Sequence, residues 1–494
     1  MPIPVIDLFA GPGGLSEGFE GYRNGGERPF RCALSIEKER YAHQTLLLRA
    51  FFRQFAKPPK EYYGYLRSEL TLKALFASYP CEHEKAKTIA VRLTLARWNR
   101  KRIDRMVRKA VRGHANNWVL IGGPPCQAYS LVGRARRTKE KRREFEKDGR
   151  HFLFKEYLRI VKKFRPPVFV MENVKGLLSS SAKGVEIFDL MLKDFTATGY
   201  SLHSFVKKGE SKKLEPTDYV IKAERYAIPQ SRHRVILLGV RKGRDRGLRR
   251  LSEAKKKISI QAAIGDLPDI RSHISPPSRD SYEAWEGELR RLHSVVGRNG
   301  RLKGRKIGPR TLRKLGGGGE FIRIKLQEPR KRSWLRRFKN WLIDRRIEGV
   351  TLHAARHHMP TDLRRYLFAS HYSRLHGESP RIADFPWWIR PKHKNVRKAV
   401  KESLFADRFR VQTRGKPSST VVAHISKDGH YYIHYDPRQC RSLTVREAAR
   451  LQTFPDNYYF QGTRTAQYQQ VGNAVPPLLA RQMAAIVCGI LADG

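Results

Sequence analysis

The sequence predicts an α/β protein with a strand-and-helix core and a second, smaller domain that is irregular and β-containing. Three observations carry the prediction. Short apolar runs alternate with amphipathic segments over the first half of the chain, and strands alternating with helices imply a parallel sheet. From about residue 250 to 440 that alternation fades into glycine turns, tryptophans and basic runs, and near the C-terminus helical patterning returns. The expected division is a core over 1–254 with a helical insertion at about 46–116, a second domain over 255–464, and a 465–494 segment returning to the core. Pro276-Pro277 is a candidate linker point.

Val5 to Phe9 reads as a short buried strand running into Ala10-Gly11-Pro12-Gly13-Gly14 and a helix-like Leu15 to Phe19. Strand, glycine turn and helix open nucleotide-binding α/β units. Ser16 stands where a dinucleotide fingerprint needs a small closing residue, and no Gly-Lys-Ser/Thr follows, so neither a dinucleotide fingerprint nor a phosphate loop is complete. A second strand, Cys32 to Ile36, ends in Glu37, an acid about 20 positions past the glycines that suits ribose hydroxyls. In the insertion, Ile103, Met106, Val107, Ala110 and Val111 follow helical spacing and basic residues cover the other faces; packing with the basic face outward is the simpler reading, nucleic-acid contact the alternative.

The apolar run Trp118 to Ile121 leads into Gly122-Gly123-Pro124-Pro125-Cys126-Gln127, a cysteine offered on a turn stiffened by two prolines. Ser130 to Arg150 follows, either a solvated loop or a basic lid over Cys126. Phe152 to Phe164 reads as an amphipathic helix stopped by Pro166-Pro167, and Val168 to Met171 as a strand leading into Glu172. The glycine turn, Glu37, Cys126 and Glu172 all fall at carboxyl ends of strands, where such sheets bind ligands. Tyr219 to Ala223 and Arg234 to Val240 are further strands, and alternation puts Gln230, Arg232 and Arg234 on one face if the link is extended. Ser418 to Val422 and Tyr431 to Tyr435 read as strands around Asp428-Gly429. Thr444 caps a helix with Glu447 as its box partner, and Gln470 to Pro477 leads to an apolar helix, Leu478 to Leu491.

Charge narrows the partner. One hundred Lys and Arg against 46 Asp and Glu give +54, and residues 290 to 346 carry 20 basic and three acidic side chains, a clustering that points to a polyanion. Five scattered cysteines (32, 81, 126, 440, 488) with no Cys-x-x-Cys suggest neither disulfides nor zinc and suit a reducing cytoplasm. No metal is expected. No apolar run approaches the ~20 residues of a membrane span. A thiol reacts as thiolate, so Cys126 needs nearby cations or helix N-termini, and a buried Glu172 could donate a hydrogen bond to a substrate nitrogen. Together with a nucleotide-like cofactor, these groups suit transfer onto a nucleic-acid base.

Six stretches, in order, resemble the DNA (cytosine-5) methyltransferase family of the bacterial type: Asp7 to Gly14, Pro124-Pro125-Cys126-Gln127, Glu172-Asn173-Val174, Gln230-x-Arg232-x-Arg234, Arg441 to Pro455, and Gly472-Asn473-Ala474-Val475. The resemblance implies a Rossmann-like S-adenosylmethionine-dependent core with a mixed sheet and a target-recognition domain. It implies that S-adenosyl-L-methionine is held by Phe9, Ala10, Gly11, Gly13, Gly14, Leu15, Glu37, Pro125, Asn473 and Val475. Catalysis would use Cys126, Glu172, Arg232 and Arg234 on a cytosine flipped out of double-stranded DNA. A modification enzyme acting as a monomer beside a cognate restriction endonuclease is the implied setting. The family's acid against the adenine amino group has no counterpart here, because the insertion occupies its place, and Ala128-Tyr129-Ser130 stands where many relatives have Gly-Phe-Ser. An RNA (tRNA) cytosine methyltransferase and a catalytically silent nucleic-acid-binding relative remain alternatives at this point.

Overall fold

A computed structural model describes residues 1–125, 152–179, 181–182, 185–209, 213–245, 247–296, 315–325, 333–392, 396 and 407–492. The chain forms two compact units, one of Met1–Pro59, Phe76–Lys256 and Asn473–Gly494, the other of Lys60–Leu75 and Lys257–Gly472.

The first unit is built on an eight-stranded sheet: β1 (Ile3–Leu8), β2 (Phe30–Glu37), β3 (Ala90–Arg92), β4 (Val119–Gly122), β5 (Val168–Val174), β6 (Tyr200–Ser204), β7 (Val220–Lys222) and β8 (His233–Arg241). The order is β3-β2-β1-β4-β5-β8-β6, with β7 also paired to β8. Strands β1 to β5 are mutually parallel, as strand–helix alternation requires, whereas β8 runs antiparallel to β5, β6 and β7, which makes the sheet mixed. Its central strands are apolar on both sides because each face is covered. One face carries Ile103 and Val107 from helix Arg100–Ala110 and Tyr157, Ile160 and Val161 from helix Phe152–Phe164. The other carries Leu15 and Phe19 with Leu479, Met483 and Val487 from the C-terminal helix Pro477–Ala492. Tyr157 is fully buried, and its hydroxyl donates to the Val170 carbonyl at 3.2 Å, fixing helix Phe152–Phe164 to β5.

One buried carboxylate in this unit is paired with two arginines. Glu17 on the short helix Gly14–Glu20 accepts from Arg49 at 2.6 Å and Arg53 at 2.7 Å, both supplied by or just after helix Arg40–Phe52. Burial would raise its pKa, but the two guanidiniums outweigh burial and hold it at about 2.

The second unit has a polar core beside an apolar one. Leu363, Tyr366, Leu367 and Phe368 of helix Pro360–His376 pack with Trp285, Phe385 and Phe409. Next to them Thr444 and Glu447 form the expected capping box, and Arg441 donates to both Glu447 oxygens at 2.7 Å, all three side chains at or below 1% exposure. Arg450, fully buried, bridges Asp456 and Asp266. His273, Asp280 and His357 place ligand atoms within 4.8 Å of one another. Both Asp280 oxygens are already occupied, by Arg271 and the Ile274 amide on one side and His273 on the other, which leaves a charge-balanced cluster.

Several expectations are corrected. The 46–116 stretch is not one helical insertion: it contains β3 at the sheet edge, and Lys60–Leu75 belongs to the second unit. Pro276-Pro277 lies inside the second unit, and the change of unit falls after Lys256. Tyr431 to Tyr435 is not a strand; Ile433 makes isolated bridges to Val411 and Ser442, and Ser418–Ser419 is the only part of 418–422 that forms a strand. Arg464–Ala492 does contain an 18-residue window with mean hydropathy 1.6, long and apolar enough for a membrane span. That window is 72% buried in the protein, and the stretch is two helices, Arg464–Asn473 and Pro477–Ala492.

Removing one partner of the Arg441–Glu447 pair leaves a buried carboxylate uncompensated. Arg441→Met is therefore expected to lower the unfolding free energy by about 3–5 kcal/mol, against about 1 kcal/mol for loss of the cap in Thr444→Ala. Arg441 also holds the Glu447 carboxyl well below the carboxylate range despite its burial. The pair's stabilisation is thus present above the unfolded carboxylate pKa and is lost as pH falls towards the folded one. Urea titrations from pH 7 down to pH 3 measure both effects; equal midpoints for wild type and Arg441→Met would contradict them.

Candidate active site

The site is laid out by strand register. Leu8 of β1 pairs with Gly122 of β4, and Gly122 pairs with Met171 of β5, so β1 and β4 end in one row level with Met171, while β5 runs on to Val174. The next residues out are Phe9, Gly123 and Glu172. A Cβ on Gly122 would stand 2.3 Å from the Leu8 carbonyl oxygen, so only glycine lets β1 and β4 come this close. On the other side of β1, Ile36 pairs with Leu8, and Glu37 therefore ends beside the glycine turn.

In the turn, Phe9 adopts a left-handed φ of 55°, a conformation that costs a non-glycine residue roughly 1–2 kcal/mol and marks stored strain. Gly11 and Gly13 also have positive φ, and Gly13 caps helix Gly14–Glu20. The Gly11 amide donates to Glu37 Oε2 at 2.8 Å, while Oε1 accepts from the amides of Lys38 and Glu39. Glu37 thus faces the turn with its position fixed by three backbone donors. Ala10 is half-buried and Leu15 buried. Gly14 and Gly18 meet the C-terminal segment: a Cβ on Gly14 would fall 2.2 Å from the Val475 carbonyl oxygen, and one on Gly18 2.4 Å from Ala480 Cβ. Val475 is buried against Leu15, and Asn473 is exposed two residues before it.

At the third strand end, Glu172 Oε1 lies 3.0 Å from Arg234 Nε, an ion pair in which both side chains are about 13–14% exposed. Its other oxygen stands 2.9 Å from where a Gly123 Cβ would be, so the carboxylate lies directly over the Gly123-Pro124-Pro125 turn. Pro125 is half-buried at the end of that turn. Cys126 itself, and the lid expected over 130–150, lie outside the described residues.

The arginines separate. Alternation along the sequence places Arg232 and Arg234 on one face, but the backbone turns at Arg232, whose amide donates to the Gln230 carbonyl two residues back at 2.9 Å. Arg232 is buried at 2% exposure, and it is Arg234 that carries the ion pair with Glu172. The role of Asn173 was missed by sequence reasoning. Its Nδ2 donates to the Pro124 carbonyl at 3.2 Å and its Oδ1 accepts from Val174 N at 2.8 Å, tying the end of β5 to the cysteine turn. The available signal was an asparagine at a strand end, a residue that bonds nearby backbone in turns.

Because Gly14 abuts backbone rather than a flexible side chain, Gly14→Ala must push residue 475 away from the turn. It is expected to lower Tm by several degrees, whereas Gly11→Ala, with open space around it, acts only through its positive φ and should cost about 1 kcal/mol. Calorimetry of the two variants compares them; a larger loss for Gly11→Ala would contradict the close approach.

Comparison with known proteins identifies the family. A model of the C-5 cytosine-specific DNA methylase family matches residues 108–487. The chain is 33% identical to a type II methyltransferase, M.Bpa9945I, of Bacillus paralicheniformis, over 99% of each chain. It is 28% identical to the DNA (cytosine-5-)-methyltransferase M.ApeKI of Aeropyrum pernix, over 76% of this chain and 81% of the other. A solved chain described as a DNA modification methyltransferase encoded within an E. coli prophage shares the fold, with a TM-score of 0.51 at 18% identity over 99% of both chains. The chain belongs to the C-5 cytosine-specific DNA methylase family, a family of S-adenosylmethionine-dependent DNA (cytosine-5)-methyltransferases.

Proposed function

We propose that this chain methylates C5 of a cytosine in double-stranded DNA through a covalent bond from Cys126 to C6 of the flipped-out base. The observation that carries the reading is the row Leu8, Gly122, Met171, which puts the turn leading to Cys126 between the glycine turn and Glu172. The surroundings fit the cofactor. Glu37 is held beside the turn for ribose hydroxyls, and the approach of Val475 to Gly14 closes a cradle that Phe9, Ala10, Gly11, Gly13, Leu15, Pro125 and Asn473 would complete. When bound, S-adenosyl-L-methionine supplies an electrophilic sulfonium methyl group.

The residues of the chain prepare the base for that group. C5 of an aromatic cytosine is a poor nucleophile; addition of the Cys126 thiolate to C6 breaks the ring's aromaticity and moves electron density onto C5. Glu172 holds a proton at N3, so the ring takes up that density without building a full negative charge. Arg234, paired with Glu172, orients the carboxyl and places a guanidinium beside the base; Arg232 supports the same segment from its buried position. Asn173 fixes the Pro124 carbonyl and so the approach of Cys126. After methylation a base takes the C5 proton, the electron pair returns to the ring, and the Cys126 sulfur leaves. Since C6 is shielded within the stack, the cytosine must first leave the helix, at a cost of a few kcal/mol that pocket contacts offset. A role beside a cognate restriction endonuclease, as a monomer on DNA in the cytoplasm, completes the reading.

Cys126→Ser is expected to abolish methyl incorporation into duplex DNA while binding persists, and Glu172→Gln to lower kcat by about 10²-fold or more. Asn173→Ala should lower kcat more than it raises the KM for S-adenosyl-L-methionine, because it loosens the cysteine turn, of which only Pro125 lines the cradle. The assay is tritiated methyl transfer to duplex DNA and, in parallel, to tRNA. Wild-type turnover by Cys126→Ser, or incorporation into tRNA only, would overturn the proposal.

A further inference from the structure

Helix Arg100–Ala110 covers one face of the sheet, and its outer surface is left cationic in an unusually complete way. From Arg97 to Arg112 there are eight basic residues and one acid. That acid, Asp104, is turned inward and held by Arg159 at 2.7 Å and Lys163 at 2.6 Å. The neighbouring acid, Glu156 of helix Phe152–Phe164, is likewise taken by Arg100 at 2.5 Å and Arg159 at 3.1 Å. Three cations therefore consume both carboxylates, and neither is left for the outer row.

Lys101, Arg105 and Arg108 follow one another at spacings of four and three, which is one face of the helix, with Arg102 and Lys109 alongside and Arg112 continuing the line in the turn just past its end. All six are exposed, and none of their side chains makes a hydrogen bond or ion pair among the described residues. The opposite face buries Ile103 and Val107 completely, so the row cannot rotate inward. At its N-terminal end Trp98 is 80% exposed in the turn Arg97–Asn99 that opens the helix. An exposed indole continuing a line of exposed cations is a pairing of features suited to nucleic acid, where phosphates meet the cations and an aromatic ring packs on sugar or base. At 1.5 Å per residue the row is about 16 Å long, a stretch over which a duplex carries about nine or ten phosphate charges.

We propose that this face is a second docking surface for the phosphate backbone of duplex DNA, sequence-independent and separate from the strand-end site that holds the cytosine. It rests on the DNA reading of the substrate above. The surface raises the local concentration of DNA around the enzyme without taking part in the choice of target. The position of the row on the sheet-covering helix, rather than at the strand ends, is what separates the two roles.

The test uses the full chain with Lys101, Arg105, Arg108 and Arg112 all changed to Gln. Binding of a labelled non-target duplex, followed against salt, should become at least tenfold weaker at moderate salt. Its log–log salt slope should become shallower by about two to four units, near 0.9 for each phosphate that is no longer neutralised. Methyl transfer at saturating DNA should keep its kcat, with KM raised on long DNA. A second variant, Arg105→Lys, Arg108→Lys and Arg112→Lys together, should keep the wild-type slope, which separates charge from any change in folding. An unchanged slope in the Gln variant, an equal loss in the Lys variant, or a loss confined to tRNA or to phosphatidylserine vesicles would each overturn the proposal. A wild-type chain that neither binds nor methylates duplex DNA would instead overturn the functional reading, and so the two failures are distinguishable.

Discussion

The constraint on which the first unit depends is the shared register of β2, β1, β4 and β5 at their carboxyl ends. Side chains alternate along a strand, so a slip of one residue between β4 and β5 would turn Glu172 to the opposite face and set the Gly123-Pro124-Pro125 turn against Asn173 instead. Gly122 secures the register by its lack of a side chain, since any Cβ there would strike the Leu8 carbonyl. The apolar burial of Val5, Ile6, Leu120, Ile121, Phe169 and Val170 secures it by mass. The irregularity the sheet does tolerate, a shift between Val5 and Ile6 where β1 meets β2, comes early in the strand and leaves Leu8 opposite Ile36.

Charge is distributed by the same economy of position. Glu17 in the first unit and Glu447 in the second are each buried and each met by arginine, an arrangement in which removing one member is far worse than never having had the pair. Arg450 and Lys339 share Asp266 in the second unit, and there burial together with the neighbouring guanidinium lowers the Lys339 pKa to about 8. Glu17, Glu447 and Asp266 are each met by buried cations, and the net +54 of the chain makes its surface strongly basic. Such a surface repels itself and is offset by a polyanion, which makes affinity for one a property of the whole chain rather than of a single cleft.

Legibility in the sequence followed the strength of local signals. The glycine turn, Glu37, the proline-stiffened turn after β4 and the Glu172 strand end could be read because each joins a continuous apolar run to turn residues. The capping box at Thr444 was legible because two fixed positions define it. β3 was not, since three residues, Ala-Val-Arg, at a sheet edge carry no periodicity, and pairing with Ser35 to Glu37 is a long-range fact. Tyr431 to Tyr435 alternates like a strand, yet the bridges of Ile433 to Val411 and Ser442 make it a crossing point. The roles of Arg232 and Arg234 were merged because alternation assumes an extended backbone, and the turn at Arg232 breaks that assumption. Membership of Lys60–Leu75 in the second unit has no local signature at all.

The C-terminal segment gives the proposed cofactor cradle a dependence on chain topology. Gly14 and Gly18 lie one helical turn apart and are the positions at which residues 475–481 press against helix Gly14–Glu20, so the first helix of the chain and the last are fitted backbone to backbone. The glycine turn can fold locally, but the wall at Val475 exists only after the last helix has docked on the second face of the sheet. Anything that binds between the two binds the docked form alone, and its binding energy is added to the stability of that docking. The strain held at Phe9 is secured from the other side: a left-handed phenylalanine persists only where its surroundings over-determine it, and Phe9 packs with the core on the face covered by helices Arg100–Ala110 and Phe152–Phe164. The strand-end site therefore needs both the sheet and the docked last helix, which is why its parts are scattered along the sequence while its layout follows one row of a single sheet.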